Sequence, residues 1–216
     1  MGKTQKIGNA TIMNIDCMEY MRTLPDKFFD LAIVDPPYGI KASSGASTNK
    51  TMREKIAQGK IKGGDWDNSI PKKEYFDALF RVSKEQIIWG GNYFFLRPSK
   101  CFLIWDKGES IYGRDFAECE LAWGSFDKCA RMYKLFPNQS DRIHPTQKPI
   151  KLYEWILTNY AKTGQTIFDS HMGSGSSAIA CNNLGFEYVG CELDEDYYNA
   201  ACERIAQHAQ QERLFA

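Results

Sequence analysis

The chain has no excess of charge of either sign: 27 lysines and arginines are matched by 27 aspartates and glutamates. Global electrostatics therefore offers no argument for a nucleic-acid partner, and any attraction to phosphates has to come from a local patch. No apolar run approaches the roughly 20 residues that a membrane-spanning helix needs. The amino terminus, Met1-Gly2-Lys3-Thr4-Gln5, lacks a signal-peptide core, so cytoplasmic residence without a membrane is expected. Seven cysteines contain no Cys-x-x-Cys pair and have no histidine pair nearby, which argues against a zinc site; no metal is expected, and the odd count reads as reduced thiols. Phosphate-binding glycine signatures are missing as well. Gly173-Ser174-Gly175 has neither the third glycine of a dinucleotide fingerprint nor the Gly-Lys-Ser/Thr of a P-loop.

What is present suits one substantial core. At 43% hydrophobic content, residues 1–216 read as a single domain, and the alternation of strands and helices followed below makes it α/β class, with a doubly wound, mostly parallel sheet. The organising stretch is Asp35-Pro36-Pro37-Tyr38. It follows Leu31-Ala32-Ile33-Val34, whose length and β-branched content predict a buried strand. The motif then falls at the carboxyl end of that strand, where open α/β sheets bind ligands. These residue types fit the exocyclic amino group of a nucleobase, a poor nucleophile because its lone pair is delocalised into the ring. Asp35 can accept one amino hydrogen and the Pro36 carbonyl the other, drawing the lone pair back onto nitrogen. Pro37 restricts Pro36 to extended geometry. Tyr38 offers a face for an extruded base and a ring suited to a neighbouring sulfonium. A proline-stiffened turn with a core tyrosine is the plain alternative for the tetrapeptide alone.

Elsewhere, residues 7–15 are expected to form a strand and Met18, Met21 and Leu24 a helix that Pro25 ends, with Asp16 as its N-cap. Residues 41–64 form a basic Ser/Thr/Gly/Lys segment, in which Lys50, Arg53 and Lys55 are candidate phosphate contacts. A helix is expected over 75–83 and strands over 86–89, 102–105 and 118–123, the last two antiparallel. Residues 124–143 show no clear period; Arg131 and Lys134, interleaved with Tyr133 and Phe136, suit either a nucleic-acid face or a solvated loop.

The carboxyl-terminal third is the most legible. His144-Pro145-Thr146-Gln147-Lys148-Pro149 leads into a helix with Leu152, Tyr153, Ile156, Leu157 and Tyr160 on one face. A strand over 165–168, Asp169, the turn through Gly173-Ser174-Gly175, a helix over 177–184 capped by Gly185 and a strand over 187–191 ending in Glu192 make one mononucleotide-binding half. Glu192 is placed to accept from ribose hydroxyls. Without a pyrophosphate signature, the ligand is a nucleoside with some other substituent, a description that S-adenosylmethionine meets.

Taken together, Asp35-Pro36-Pro37-Tyr38, His144 to Pro149, Phe168-Asp169 to Gly175 and Gly190-Cys191-Glu192-Leu193, in this order over roughly residues 7–205, resemble the amino-methylating DNA methyltransferases, specifically the adenine-N6 type of the permuted β class. The resemblance implies a Rossmann-like fold, S-adenosylmethionine as cofactor and double-stranded DNA as partner. It implies that Asp169, Gly173 and Gly175 border the methionine part, Glu192 holds the ribose, Thr146 and Lys148 contact the carboxylate end, and Asp16 lies near the adenine. Ser170-His171 stand where the family usually has Pro-Phe, whose phenyl packs on the cofactor. The region left to read a target sequence is short, which a second subunit in a homodimer or relaxed specificity would offset. Cytosine N4 or RNA adenine remain open as targets, as does a noncatalytic relative that only binds.

Overall fold

The computed structural model describes residues 2–41, 66–114, 117–137 and 142–215. Lys50, Arg53, Lys55 and nearly all of the basic segment 41–64 lie outside these. Among the described residues nine strands form one sheet: β1 (Thr4–Ile7), β2 (Ala10–Asn14), β3 (Phe29–Val34), β4 (Ser83–Trp89), β5 (Cys101–Asp106), β6 (Cys119–Gly124), β7 (Arg131–Lys134), β8 (Thr166–Asp169) and β9 (Glu187–Glu192). Their order is β1-β2-β9-β8-β3-β4-β6-β5-β7. The run β2-β9-β8-β3-β4 is parallel throughout, as is β5-β7, while β1-β2, β4-β6 and β6-β5 are antiparallel. The expected mostly parallel α/β sheet is therefore found.

Helices cover both faces: α1 (Cys17–Arg22) and α2 (Lys73–Val82) on one, α3 (Ile150–Tyr160), α4 (Ser176–Leu184) and α5 (Glu195–Phe215) on the other. Strand β3 shows why the sequence there is continuously apolar rather than alternating. Leu31 and Ile33 enter the core beneath Leu152, Ile156 and Ile179, and Ala32 and Val34 enter the core beneath Met21, Phe76 and Leu79.

The chain steps from β3 to β4 in one direction and from β8 to β9 in the other. The reversal falls between β3 and β8, which pair through Leu31↔Ile167 and Ala32↔Phe168. At such a switch point the loops leaving adjacent strands diverge and open a crevice for ligand. Asp35 leaves β3 on one side of it and Asp169 ends β8 on the other.

Two expectations need correction. Residues 7–15 are not one strand: Ile7 closes β1, and Gly8, at φ 61, turns the chain into β2. Asn182 stabilises that turn by accepting from the Asn9 backbone N–H at 2.8 Å. Residues 124–143 are not wholly irregular either, because Arg131–Lys134 add an edge strand parallel to β5. This strand is largely exposed on both faces, so burial imposes no alternation for a sequence reading to detect.

Candidate active site

Four acids stand at or just beyond the carboxyl ends of four neighbouring parallel strands: Asp16 after β2, Glu192 at the end of β9, Asp169 at the end of β8 and Asp35 after β3. Asp35 has both carboxylate oxygens engaged. Oδ1 accepts from the Tyr38 hydroxyl at 2.5 Å and Oδ2 from Lys148 Nζ at 2.5 Å. Lys148, 4% exposed, also lies 3.2 Å from Glu120 Oε2, and Glu120 Oε1 is 2.8 Å from Lys107 Nζ. Its ammonium stands 5.0 Å from the Trp89 ring centroid and 5.6 Å from that of Tyr38.

The four charges do not share equally. Burial alone would raise Glu120, but two ammonium groups outweigh it and hold the carboxyl at about 2. Burial raises Asp35 above the usual carboxylate range; Lys148 opposes this, and the Glu120 charge adds to it. Burial works against the Lys148 charge, yet the two carboxylates prevail and its value goes up.

Asp67 fixes the loop that carries these groups. It is 1% exposed, and its Oδ1 accepts from the backbone N–H of Tyr38 at 2.7 Å and of Gly39 at 2.9 Å. Across from it, Gly90 at the end of β4 adopts φ 69, and a Cβ there would come within 2.2 Å of Tyr38 Cε1. The glycine therefore sets the height of the Tyr38 ring. Tyr93 stacks on that ring at 5.1 Å and 15°, with Phe94 against its edge at 6.2 Å.

The second half of the crevice is the turn between β8 and α4. Asp169 is buried, and its oxygens accept from the His171 N–H at 3.0 Å and the Ser177 hydroxyl at 2.7 Å; burial pushes its carboxyl up to about 7 against these bonds. Glu192 ties the glycine turn to β9: Oε2 accepts from Gly173 N at 2.9 Å, and Oε1 from Asp194 N at 2.9 Å. Burial is the main force raising the Glu192 carboxyl. Gly173 has φ 53, and a Cβ on it would meet nothing closer than 3.8 Å, so backbone conformation and not crowding demands glycine. Gly175, at φ 73, is crowded: a Cβ would approach Ile205 to 2.8 Å. Arg204 of α5 braces the same turn by donating to the Ser174 carbonyl at 2.9 Å.

Asp16 is the N-cap of α1, accepting from Met18 N at 2.6 Å, as its sequence context suggests. Ser170 bridges Tyr75 Oη at 2.7 Å and His171 Nδ1 at 2.9 Å, while the His171 ring meets Tyr75 edge-on at 5.3 Å. Burial lowers the His171 imidazole to about 4, with Asp16 pulling the other way. Thr146 donates to His144 Nδ1 through its N–H (3.3 Å) and meets the same nitrogen through its hydroxyl (3.2 Å). Lys148, expected beside Thr146 at the cofactor's carboxylate end, is placed instead against Asp35 and Glu120. Arg131 and Lys134 are exposed but partnered, Arg131 with Asn159 at 2.9 Å and Lys134 with Glu109 at 2.6 Å.

Sequence reasoning missed Glu120, Lys107, Asp67, Gly90 and Arg204. Glu120 and Lys107 carried one usable signal: Glu120 sits in a strand between apolar Leu121 and Ala122 and exposed Cys119, where a half-buried acid favours a cation beside it. The other three act through backbone contacts that leave no pattern.

Comparison with known proteins finds likenesses in sequence and in fold. Residues 118–203 match the family model for DNA methylase. YubD of Escherichia coli (strain K12), described as a methylase, is 24% identical over 212 residues covering 88% of each chain. The type II methyltransferase M.HinfI of Haemophilus influenzae is 22% identical, over 90% of this chain and 68% of its own. Among solved structures, the M1.HpyAVI complex with SAM covers 90% of this chain and 99% of its own at a TM-score of 0.53 and 23% identity. The PvuII DNA methyltransferase, cytosine-N4-specific, covers 94% and 92% at a TM-score of 0.59 and 12% identity.

Proposed function

We propose that the chain is a member of the DNA methylase family that its residues 118–203 match, and that it transfers a methyl group from S-adenosylmethionine to the N6 amino group of adenine in DNA, acting on a base swung out of the duplex. The observation that carries the proposal is the position of Asp35-Pro36-Pro37-Tyr38 at the switch point, one strand away from the Asp169–Glu192 crevice. Relatives support the reading: M.HinfI is a methyltransferase by name, and M1.HpyAVI was crystallised with SAM.

The residues of the β8–β9 crevice fit this cofactor. Acids at successive strand ends suit hydroxyl donors and a cationic ligand and disfavour phosphates. Glu192 would accept from the ribose, Asp16 would lie towards the adenine, and Asp169, Ser170, His171, Gly173 and Gly175 would border the methionine part, with Thr146 at its carboxylate end. When bound, the cofactor would supply a sulfonium-borne methyl carbon as electrophile and take up the electron pair of the broken carbon–sulfur bond. Asp35 accepts an amino hydrogen of the base and the Pro36 carbonyl the other, which restores lone-pair density to the nitrogen. Tyr38 and Tyr93 form the aromatic wall against which the base stacks, and the Tyr38 hydroxyl keeps Asp35 oriented. The amine loses its surplus proton after the new bond forms. Alignment and fixed acceptors supply the rate enhancement.

Asp rather than Ser at position 35 favours adenine. The likeness to the cytosine-N4-specific PvuII enzyme favours the cytosine amino group as a second reading. Nucleoside mass spectrometry of DNA treated with the protein and S-adenosylmethionine separates them: N6-methyladenine supports the first, and N4-methylcytosine alone replaces it by the second. Parallel RNA substrates test whether the duplex has to be DNA.

A further inference from the structure

Each oxygen of Asp35 already accepts one hydrogen bond, from Tyr38 and from Lys148, so a base amino hydrogen has to share its oxygen with a donor already there, and the ammonium on Oδ2 is the stronger competitor. Tyr38 sits on the same loop, held by Asp67 and Gly90, and cannot withdraw without dismantling the site. Lys148 comes from a different segment and already lies within reach of a second carboxylate, Glu120, at 3.2 Å. Glu120 is itself anchored by Lys107, just past the end of the adjacent strand β5, so it stays in place when Lys148 moves.

We infer that Glu120 is a positioning residue for the amino-group chemistry: it is the second seat of the Lys148 ammonium, drawing it off Asp35 when the base arrives and freeing Asp35 Oδ2 to accept. The step moves no proton and breaks no covalent bond; one charge-assisted hydrogen bond is exchanged for another, and the ammonium remains paired throughout. Two half-buried carboxylates with one buried ammonium between them also explain the electrostatics. Glu120, with Lys107 besides, stays ionised, while Asp35 feels a nearby negative charge that Lys148 only partly offsets. Other ionisable groups face Asp35 from further elements, Tyr153 of α3 and Asp169 of β8, and neither makes a hydrogen bond to it.

The inference rests on the amino-methyltransferase reading, and its test is chosen to fail separately from it. Glu120→Gln keeps shape and an oxygen acceptor but removes the charge. Single-turnover transfer at saturating cofactor should slow by about tenfold, equivalent to about 1.4 kcal/mol on the barrier. The acid limb of the pH–rate profile should move to lower pH, because a negative charge facing Asp35 is gone. Glu120→Asp should restore the limb to its original position. A merely structural role would lower the rate without moving the limb. Carbon-13 titration of the Asp35 carboxyl reads the same coupling without turnover: it should titrate at lower pH in Glu120→Gln than in the unsubstituted chain, and identical titration overturns the inference. In the unsubstituted chain, a structure with a non-transferring cofactor analogue and duplex should place Lys148 Nζ nearer Glu120 than Asp35, and the present order of distances in that complex would also overturn it. If the unsubstituted protein methylates nothing, the proposed activity fails while the titration still decides the coupling.

Discussion

Lys148 Nζ lies 2.5 Å from Asp35 Oδ2, joining two motifs that are 113 positions apart in sequence. The His144–Pro149 segment thereby touches the Asp35 loop directly, and under the proposed function it serves the base as well as the cofactor. Its lysine supplies the countercharge that allows a desolvated aspartate to remain an acceptor.

Gly90→Ala tests the placement of the tyrosine that completes this site. The added methyl would collide with Tyr38 Cε1, in a backbone conformation already unfavourable to alanine. Transfer should fall by about 100-fold, the cost typical of a roughly 1 Å misplacement, with cofactor affinity unchanged. Titration calorimetry and a methyl-transfer assay on the same preparation check it; wild-type turnover would show that the Tyr38 ring height is immaterial.

Glu192→Ala should act on the other half of the crevice. Removing a charged acceptor is expected to weaken S-adenosylmethionine binding by about 1 to 3 kcal/mol. The same substitution releases the Gly173 N–H, so the glycine turn should also show faster amide exchange. Unchanged cofactor affinity removes Glu192 from the ribose site.

His171 gives a pH prediction. Burial lowers its imidazole from the ordinary 6.5 to about 4, so the folded chain prefers the neutral ring. That contribution to stability is full above pH 6.5 and is lost as pH falls through about 4. His171→Phe should therefore lose less stability over this interval, although His144, lowered to about 3 by burial and by Lys148, keeps part of the same slope in the variant. Urea unfolding at a series of pH values reads the difference; parallel curves would mean that His171 titrates as it does in the unfolded chain.

The basic segment offers a test of DNA contact. Replacing Lys50, Arg53 and Lys55 with glutamine should flatten the salt dependence of DNA binding by about one unit of logarithmic slope for each phosphate no longer neutralised. An unaltered slope would move the DNA face towards Arg131 and Lys134, where the ion pair to Glu109 and the bond to Asn159 would have to open first.

The parallel core of the fold was legible because burial on both faces writes uninterrupted apolar runs such as Leu31 to Val34. The helix face of Leu152, Ile156 and Tyr160 and the Gly185 cap were equally plain, each the direct imprint of one local rule. Three features escaped. The β1–β2 turn at Gly8-Asn9 left a two-residue hairpin signal that is easily passed over in so short a stretch. Edge strand β7 buries too little to alternate. Helix α5 packs through Tyr197, Tyr198, Ala201, Cys202 and Ile205, of which only Ile205 is a large aliphatic, so its apolar signal is weak. At the site, the motif residues could be named, but their supports could not, since Asp67 and Gly90 act on Tyr38 across long sequence separations through backbone and van der Waals contact.

The central claim is that the Asp35 loop does the base chemistry while the Asp169–Glu192 crevice holds the cofactor. Measuring cofactor affinity and tritiated-methyl incorporation into DNA for the wild-type chain and for Asp35→Ala tests it directly. Both proteins should bind S-adenosylmethionine with nearly the same affinity, and only the wild type should label DNA. Loss of cofactor binding in a folded Asp35→Ala would reassign the residue, and a wild-type protein that binds cofactor yet never labels DNA would contradict the account.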